Sequence, residues 1–141
     1  MELKEVWISN FKSLKEVKLE LGRLNVVVGP NATGKTNLVE FFKFLRKAIA
    51  ERTQPPMPYL EWWSYKNIIW RGMEHLPIKA GLRFDVEGYD LTYEVVFSGA
   101  GGFFKVPNEK LSIKGLLSME REGTFLRIKY DKDFIESNFK K

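Results

Sequence analysis

The sequence predicts a mixed α/β and α+β fold in which a strand–loop–helix unit leads into an antiparallel β region. Three observations carry this. The short apolar run Leu24-Asn25-Val26-Val27-Val28 ends on a Gly-containing loop. An amphipathic helical pattern follows from Leu38 to Ile49. From Ile78 onward, short segments rich in strand formers are separated by Gly-rich turns. The 141 residues are about one domain's worth of chain. Hydrophobic residues at 44 % and charged residues at 29 % give a globular balance, neither disordered nor fibrous.

The elements follow in order. Leu3–Ile8 is mostly apolar and suits a strand, which Ser9-Asn10 is expected to break. Val17, Leu19 and Leu21 alternate with Glu16, Lys18 and Glu20, the pattern of a half-exposed strand, and Gly22-Arg23 suits a tight turn. Leu24–Val28 reads as a strand buried on both faces. Leu38, Phe41, Phe42, Leu45 and Ile49 then share one helix face, and Val39, Phe44 and Ala48 widen it, so this helix is expected to pack on more than one side. The proline cluster at Pro55, Pro56 and Pro58 ends it. Tyr59, Trp62, Trp63, Tyr65 and Trp70 make residues 59–77 unusually aromatic, and a packed loop or short helix covering a sheet edge accounts for them better than a base-stacking surface. Candidate strands follow at Ile78–Val86, Leu91–Phe97, Lys110–Lys114 and Phe125–Tyr130. Three segments result: a strand–loop–helix core at 1–56, an aromatic connecting loop at 57–77 and an antiparallel β region at 78–141 of the same domain.

Composition excludes several chemistries. With no cysteine there is no disulfide, thiolate metal site or cysteine nucleophile. A single histidine, His75, excludes a multi-histidine metal site and is expected at the surface or in packing. No apolar run approaches the roughly 20 residues of a membrane span. The charged opening Met1-Glu2-Leu3-Lys4-Glu5 is unlike a secretory signal, so a cytoplasmic setting is expected. The net charge of +5 permits a polyanionic partner without demanding one.

Gly29-Pro30-Asn31-Ala32-Thr33-Gly34-Lys35-Thr36 matches G-x-x-x-x-G-K-[ST], placed between the expected strand and helix. Each residue type has a physical reason. A triphosphate needs many donors and little bulk, so glycines let the backbone curl with its N–H groups inward. The start of the following helix turns its positive dipole end to the phosphates. Lys35 supplies a mobile charge for the β- and γ-phosphates, and the Thr36 hydroxyl suits Mg²⁺. ATP and Mg²⁺ are the cofactors this predicts.

A Walker B strand, an apolar run ending in Asp, is not evident. Leu82-Arg83-Phe84-Asp85 and Ile128-Lys129-Tyr130-Asp131 end in Asp, but each carries a charge that a core parallel strand would reject. Asp85-Val86-Glu87-Gly88 fits the D-x-x-G element of GTPases, yet no N-K-x-D element accompanies it. A small-molecule kinase is disfavoured because strands, not Arg-bearing helices, follow the loop.

The segment Ile8-Ser9-Asn10-Phe11-Lys12-Ser13-Leu14 followed by Leu24–Leu38 resembles the opening of the SMC/RecF-like branch of ATP-binding-cassette ATPases, which includes OLD-type nucleases. Ile69-Trp70-Arg71-Gly72 is similar to the less-characterised group often called AAA-domain ATPases. The resemblance implies the N-terminal lobe of a P-loop NTPase, carrying an antiparallel β subdomain. It implies that Asn10, Phe11, Lys12 and Ser13 lie by the adenine and ribose, that Gly29–Thr36 and Asn37 hold the phosphates, and that Thr36 holds Mg²⁺. It places Walker B, the signature motif and the switch histidine in a C-terminal lobe beyond this chain. Catalytic residues are therefore not assigned, and hydrolysis is expected only with that lobe or a second head in an ATP-bound dimer. DNA or a nuclease effector are the other partners it implies. Gln54 is the one candidate for the family's Q-loop glutamine, and a solvated loop position explains it better. The alternative function is a stand-alone nucleotide-binding or partner-docking module without catalysis. The Lys/Glu-rich, Cys-free, Gln-poor composition suggests a thermophilic source.

Overall fold

The computed structural model describes residues 1–50 and 58–139, so Gln54 lies outside the described residues. Seven strands form one antiparallel sheet: β1 (Glu2–Phe11), β2 (Leu14–Glu20), β3 (Ile78–Val86), β4 (Tyr89–Ser98), β5 (Lys105–Ile113), β6 (Leu117–Glu122) and β7 (Phe125–Tyr130). Their order across the sheet is β2-β1-β3-β4-β5-β6-β7. The helices are α1 (Lys35–Ile49) and α2 (Lys132–Phe139). Between α1 and β3 the chain makes three short 3₁₀ turns, at Leu60–Trp62, Tyr65–Asn67 and Trp70–Gly72.

Antiparallel pairing explains where the strands run longer than their local pattern. Ser9 and its neighbours stay in β1 because that strand is paired on both sides, Ser9 opposite Glu16 and Lys79. The Leu24–Val28 segment departs from expectation. It takes no strand pairing, and Leu24 is 86 % exposed, Val26 76 % and Val28 83 %. A strand buried on both faces needs neighbouring strands and covering layers, and the described sheet, edged by β2 and β7, offers this segment neither. Gly22 N–H and Asn25 Nδ2 instead close a local turn through reciprocal 2.9 Å hydrogen bonds.

One side of α1 builds the core. Phe41, Phe44 and Leu45 are buried against Val6, Ile8 and Phe11 of β1, Ile78 and Ala80 of β3, and Val95 and Phe97 of β4. The Phe11 ring meets Phe41 edge-on at 5.5 Å and Phe44 at 5.6 Å, and Phe44 meets Phe97 at 5.2 Å. Val39, Phe42 and Ile49 stay exposed, so among the described residues α1 packs on one side, not on more than one as expected.

The aromatic segment is packed. Tyr59, Trp62, Tyr65, Ile68 and Ile69 are buried in the same core. The Tyr65 hydroxyl donates to Leu76 O at 2.9 Å, and burial pushes its pKa up to about 12. Trp63 faces solvent and Trp70 is half-buried. The segment docks on β1 through a bridge between Phe11 and Ile69 and through Lys12 N–H donating to Ile68 O at 2.7 Å.

Candidate functional site

The phosphate-loop residues sit at the N-terminus of α1. Gly34 caps the helix at φ 95°, a left-handed conformation that favours glycine, and its carbonyl accepts the first helical hydrogen bond from Leu38 N–H at 3.1 Å. The first turn of α1 carries no acidic residue, so its positive end is uncompensated. The loop is tightened by Thr33 Oγ1 donating to Pro30 O at 2.9 Å. Lys35 folds back over it, with Nζ donating to Gly29 O at 2.6 Å and also to Pro30 O. A Cβ added at Gly29 would lie 3.3 Å from Thr33 Oγ1 and 3.9 Å from Lys35 Nζ. The loop thus holds the Lys35 ammonium folded onto its own carbonyls, beside Gly29. Thr36 is exposed at the start of α1.

The Asn10–Ser13 turn stands beside this loop. Asn37 Nδ2 donates to Ser13 Oγ at 2.7 Å, and a Cβ at Gly34 would come within 2.9 Å of the same oxygen. Asn10 and Lys12 both have positive φ, 63° and 48°, held by tertiary contacts: Asn10 Nδ2 donates to Pro77 O at 2.9 Å. Phe11 is fully buried, so it anchors the turn from within the core. Lys12 is paired with Glu40 of α1 and lies 5.6 Å from the Trp62 ring centroid. Ser13 is the exposed member, and it is the one that touches the phosphate-loop region.

Glu40 ties these parts together. Burial works to raise its pKa, but the Lys12 hydrogen bond and charge and a hydrogen bond from Trp62 outweigh it and hold the carboxyl below the usual glutamate range. A depressed folded pKa means that this stabilisation is complete above the unfolded-state value and is lost as pH falls through the folded one. Glu40→Gln should therefore cost about 1–2 kcal/mol at neutral pH and flatten the acid limb of the stability profile below about pH 5. Urea melts across that range measure this, and an unchanged acid limb would refute it.

The two aspartates weighed as Walker B residues have local structural roles. Asp85, at the end of β3, accepts from Gly88 N–H at 3.1 Å and shapes the β3–β4 hairpin turn. Its D-x-x-G segment is that turn. Asp131 accepts from Phe134 N–H at 3.0 Å and caps α2, a helix that a capping reading of Asp131 could have found. His75 is exposed. Among the described residues no cluster of three or more His, Cys, Asp or Glu could hold a metal.

The family model described as the AAA ATPase domain matches residues 1–138. The chain belongs to the AAA ATPase domain family. As an AAA ATPase domain it is a nucleotide-binding ATPase region, and its character is that of an SMC/RecF-like N-terminal lobe. It is 36 % identical over 63 residues to the DNA replication and repair protein RecF of Lactococcus lactis subsp. lactis, a match covering 44 % of this chain and 18 % of that protein. To RecF of Caldanaerobacter subterraneus subsp. tengcongensis it is 46 % identical over 46 residues, 32 % of this chain and 13 % of that protein. The AAA ATPase domain thus matches less than a fifth of the length of these relatives. Its fold is similar to a solved structure from work on ATP-driven dimerization and DNA-stimulated activation of SMC ATPases, with a TM-score of 0.54 at 12 % identity, over 82 % of this chain and 70 % of that one. The fold class of this chain is that of a P-loop NTPase lobe with an antiparallel β subdomain.

Proposed function

We propose that this chain binds ATP with Mg²⁺ through Gly29–Thr36, and that a second lobe or subunit completes the site for hydrolysis. The observation that carries it is the Lys35 ammonium folded onto the carbonyls of a glycine-lined loop at the start of α1. Backbone N–H groups of Gly29 and Asn31 to Gly34 would cradle the phosphates, Lys35 would neutralise them, and Thr36 would hold the metal. Asn37, with Asn10, Phe11, Lys12 and Ser13, would shape the base and ribose side. Mg²⁺, when bound, would draw charge from the phosphate oxygens.

Two observations support the completion. The Leu24–Val28 segment leading into the loop is apolar, exposed and without strand pairing, as a strand whose partners come from elsewhere would be. Asp85 and Asp131 are already used in a turn and a cap. The SMC and RecF names among the relatives bring two partners into the proposal: a second ATPase head joined through ATP, and DNA. No helix among the described residues is long and apolar enough to cross a membrane, and a cytoplasmic setting is proposed.

Calorimetric titration with ATP tests the site. Mg-ATP should bind the wild-type chain, Lys35→Ala should weaken it about 100-fold or more through the lost charge-assisted bonds, and Thr36→Ala should remove the gain that Mg²⁺ confers. Wild-type-like binding by Lys35→Ala would overturn the assignment. Robust turnover by the 141-residue chain alone would overturn the need for completion.

A further inference from the structure

The two open edges of the sheet differ in charge. β2 carries Lys15, Glu16, Lys18 and Glu20, so cations and anions are mixed along it. β7 reads Phe125-Leu126-Arg127-Ile128-Lys129-Tyr130, with two cations and no acid, and every one of its residues is exposed. Leu126, Ile128 and Tyr130 each leave about half their surface to solvent. Arg127 lies 3.7 Å from Glu120, and Lys129 pairs with no carboxylate among the described residues. An edge strand that keeps apolar side chains in water and charge of one sign is open to a selected partner.

Register decides what this edge offers. Leu126, Ile128 and Tyr130 stand opposite Arg121, Met119 and Leu117. Their face continues from Met119 through Leu111, Tyr93 and Leu82 to Val6, the face that α1 covers at the far side of the sheet. Arg127 and Lys129 project from the other face. The backbone alternates in the same way. Asp131 N–H donates to Leu116 O at 2.8 Å, which extends the β6–β7 ladder by one step. Alternate residues of an antiparallel ladder bond to the neighbour, so Phe125, Arg127 and Lys129 turn their backbone groups to β6. Leu126, Ile128 and Tyr130 turn theirs outward, where no strand of the described residues meets them.

We propose that β7 takes an extended segment of a partner protein as an eighth strand, a segment whose residues alternate apolar and acidic. The outward backbone groups of Leu126, Ile128 and Tyr130 would bond it, and its apolar residues would continue the core face. Its acidic residues would fall opposite Arg127 and Lys129. In an antiparallel addition these are the non-hydrogen-bonded pairs, in which facing side chains come closest. A second copy of β7 fits worse: centred on Ile128, it sets Arg127 opposite Lys129, like charge on like charge. The edge lies across the sheet from the Asn10–Ser13 turn, so the proposal stands apart from the Mg-ATP reading.

Fluorescence anisotropy tests it with a labelled peptide, Thr-Val-Glu-Val-Glu-Val-Thr, and with two relatives of it that carry Lys for Glu or Ser for Val. The Glu peptide should bind the wild-type chain, and each replacement should weaken binding about tenfold or more. Arg127→Glu with Lys129→Glu should reverse the preference between the Glu and Lys peptides. Ile128→Pro should weaken the Glu peptide about tenfold, because it removes an outward N–H that β6 does not use. The charge-reversed variant keeps the test open if Ile128→Pro fails to fold. Hydrogen exchange followed by NMR should slow at Leu126, Ile128 and Tyr130 when the Glu peptide binds. No binding of the Glu peptide, or binding that leaves those amides unprotected, would overturn the proposal. Equal binding of the Ser-for-Val peptide would reduce the contact to charge alone and overturn the strand. A wild-type chain that sediments as a dimer, and as a monomer once Ile128→Pro is made, would give the edge to a second copy and overturn the acidic partner.

Discussion

Gly34→Val should abolish nucleotide binding while leaving the sheet folded. Two independent obstacles meet at this position. The backbone sits at φ 95°, where a β-branched side chain is strained by about 1–3 kcal/mol. The first added carbon would also lie 2.9 Å from Ser13 Oγ, against a side chain that Asn37 already holds. Relief requires the loop to move away from the Asn10–Ser13 turn, which would disturb the proposed phosphate site. The core aromatics are on the opposite part of the helix and the buried strands, so far-UV circular dichroism should be preserved. Calorimetry should show no heat with Mg-ATP. A folded Gly34→Val chain that binds Mg-ATP like wild type would show that the loop is not the site.

Phe44→Ala should be the most damaging single truncation. Phe44 is fully buried and links two ring systems, Phe11 at 5.6 Å and Phe97 at 5.2 Å, so it joins α1 to both β1 and β4. Removing a ring from such a position typically costs about 3–5 kcal/mol through lost transfer energy and the cavity left behind. Against a total of about 5–15 kcal/mol for a domain, that is a large share. Urea melts should shift by a corresponding amount. The same truncation at Phe42, 36 % exposed, should cost under half as much. Equal losses at the two positions would contradict the one-sided packing of α1.

What the sequence made legible follows from which forces are local. The Gly29–Thr36 motif was readable because it fixes residue types at set spacing, and the structure places it at the N-terminus of α1. The helix after it was readable from its period, but the period did not say which apolar residues meet the core: Phe41, Phe44 and Leu45 do, and Val39, Phe42 and Ile49 do not. The β3–β4 hairpin was readable because Glu87-Gly88 suits its turn. β6 was missed because Glu120-Arg121-Glu122 looks like a solvated run. Its strand state comes from pairing on both edges, Met119 opposite Leu111 and Ile128. The Leu24–Val28 segment erred the other way: its composition suits a buried strand, but strands are made by partners, and partners are not written in the segment itself.

Val26, Val27 and Val28 carry a consequence for the life of the polypeptide in a cell. Three consecutive β-branched residues, unpaired and in water, are the kind of segment that seeds intermolecular β-aggregation. A copy that finds no covering surface is open to triage by proteases. The lifetime of this segment in the cell would then depend on whatever surface covers those valines.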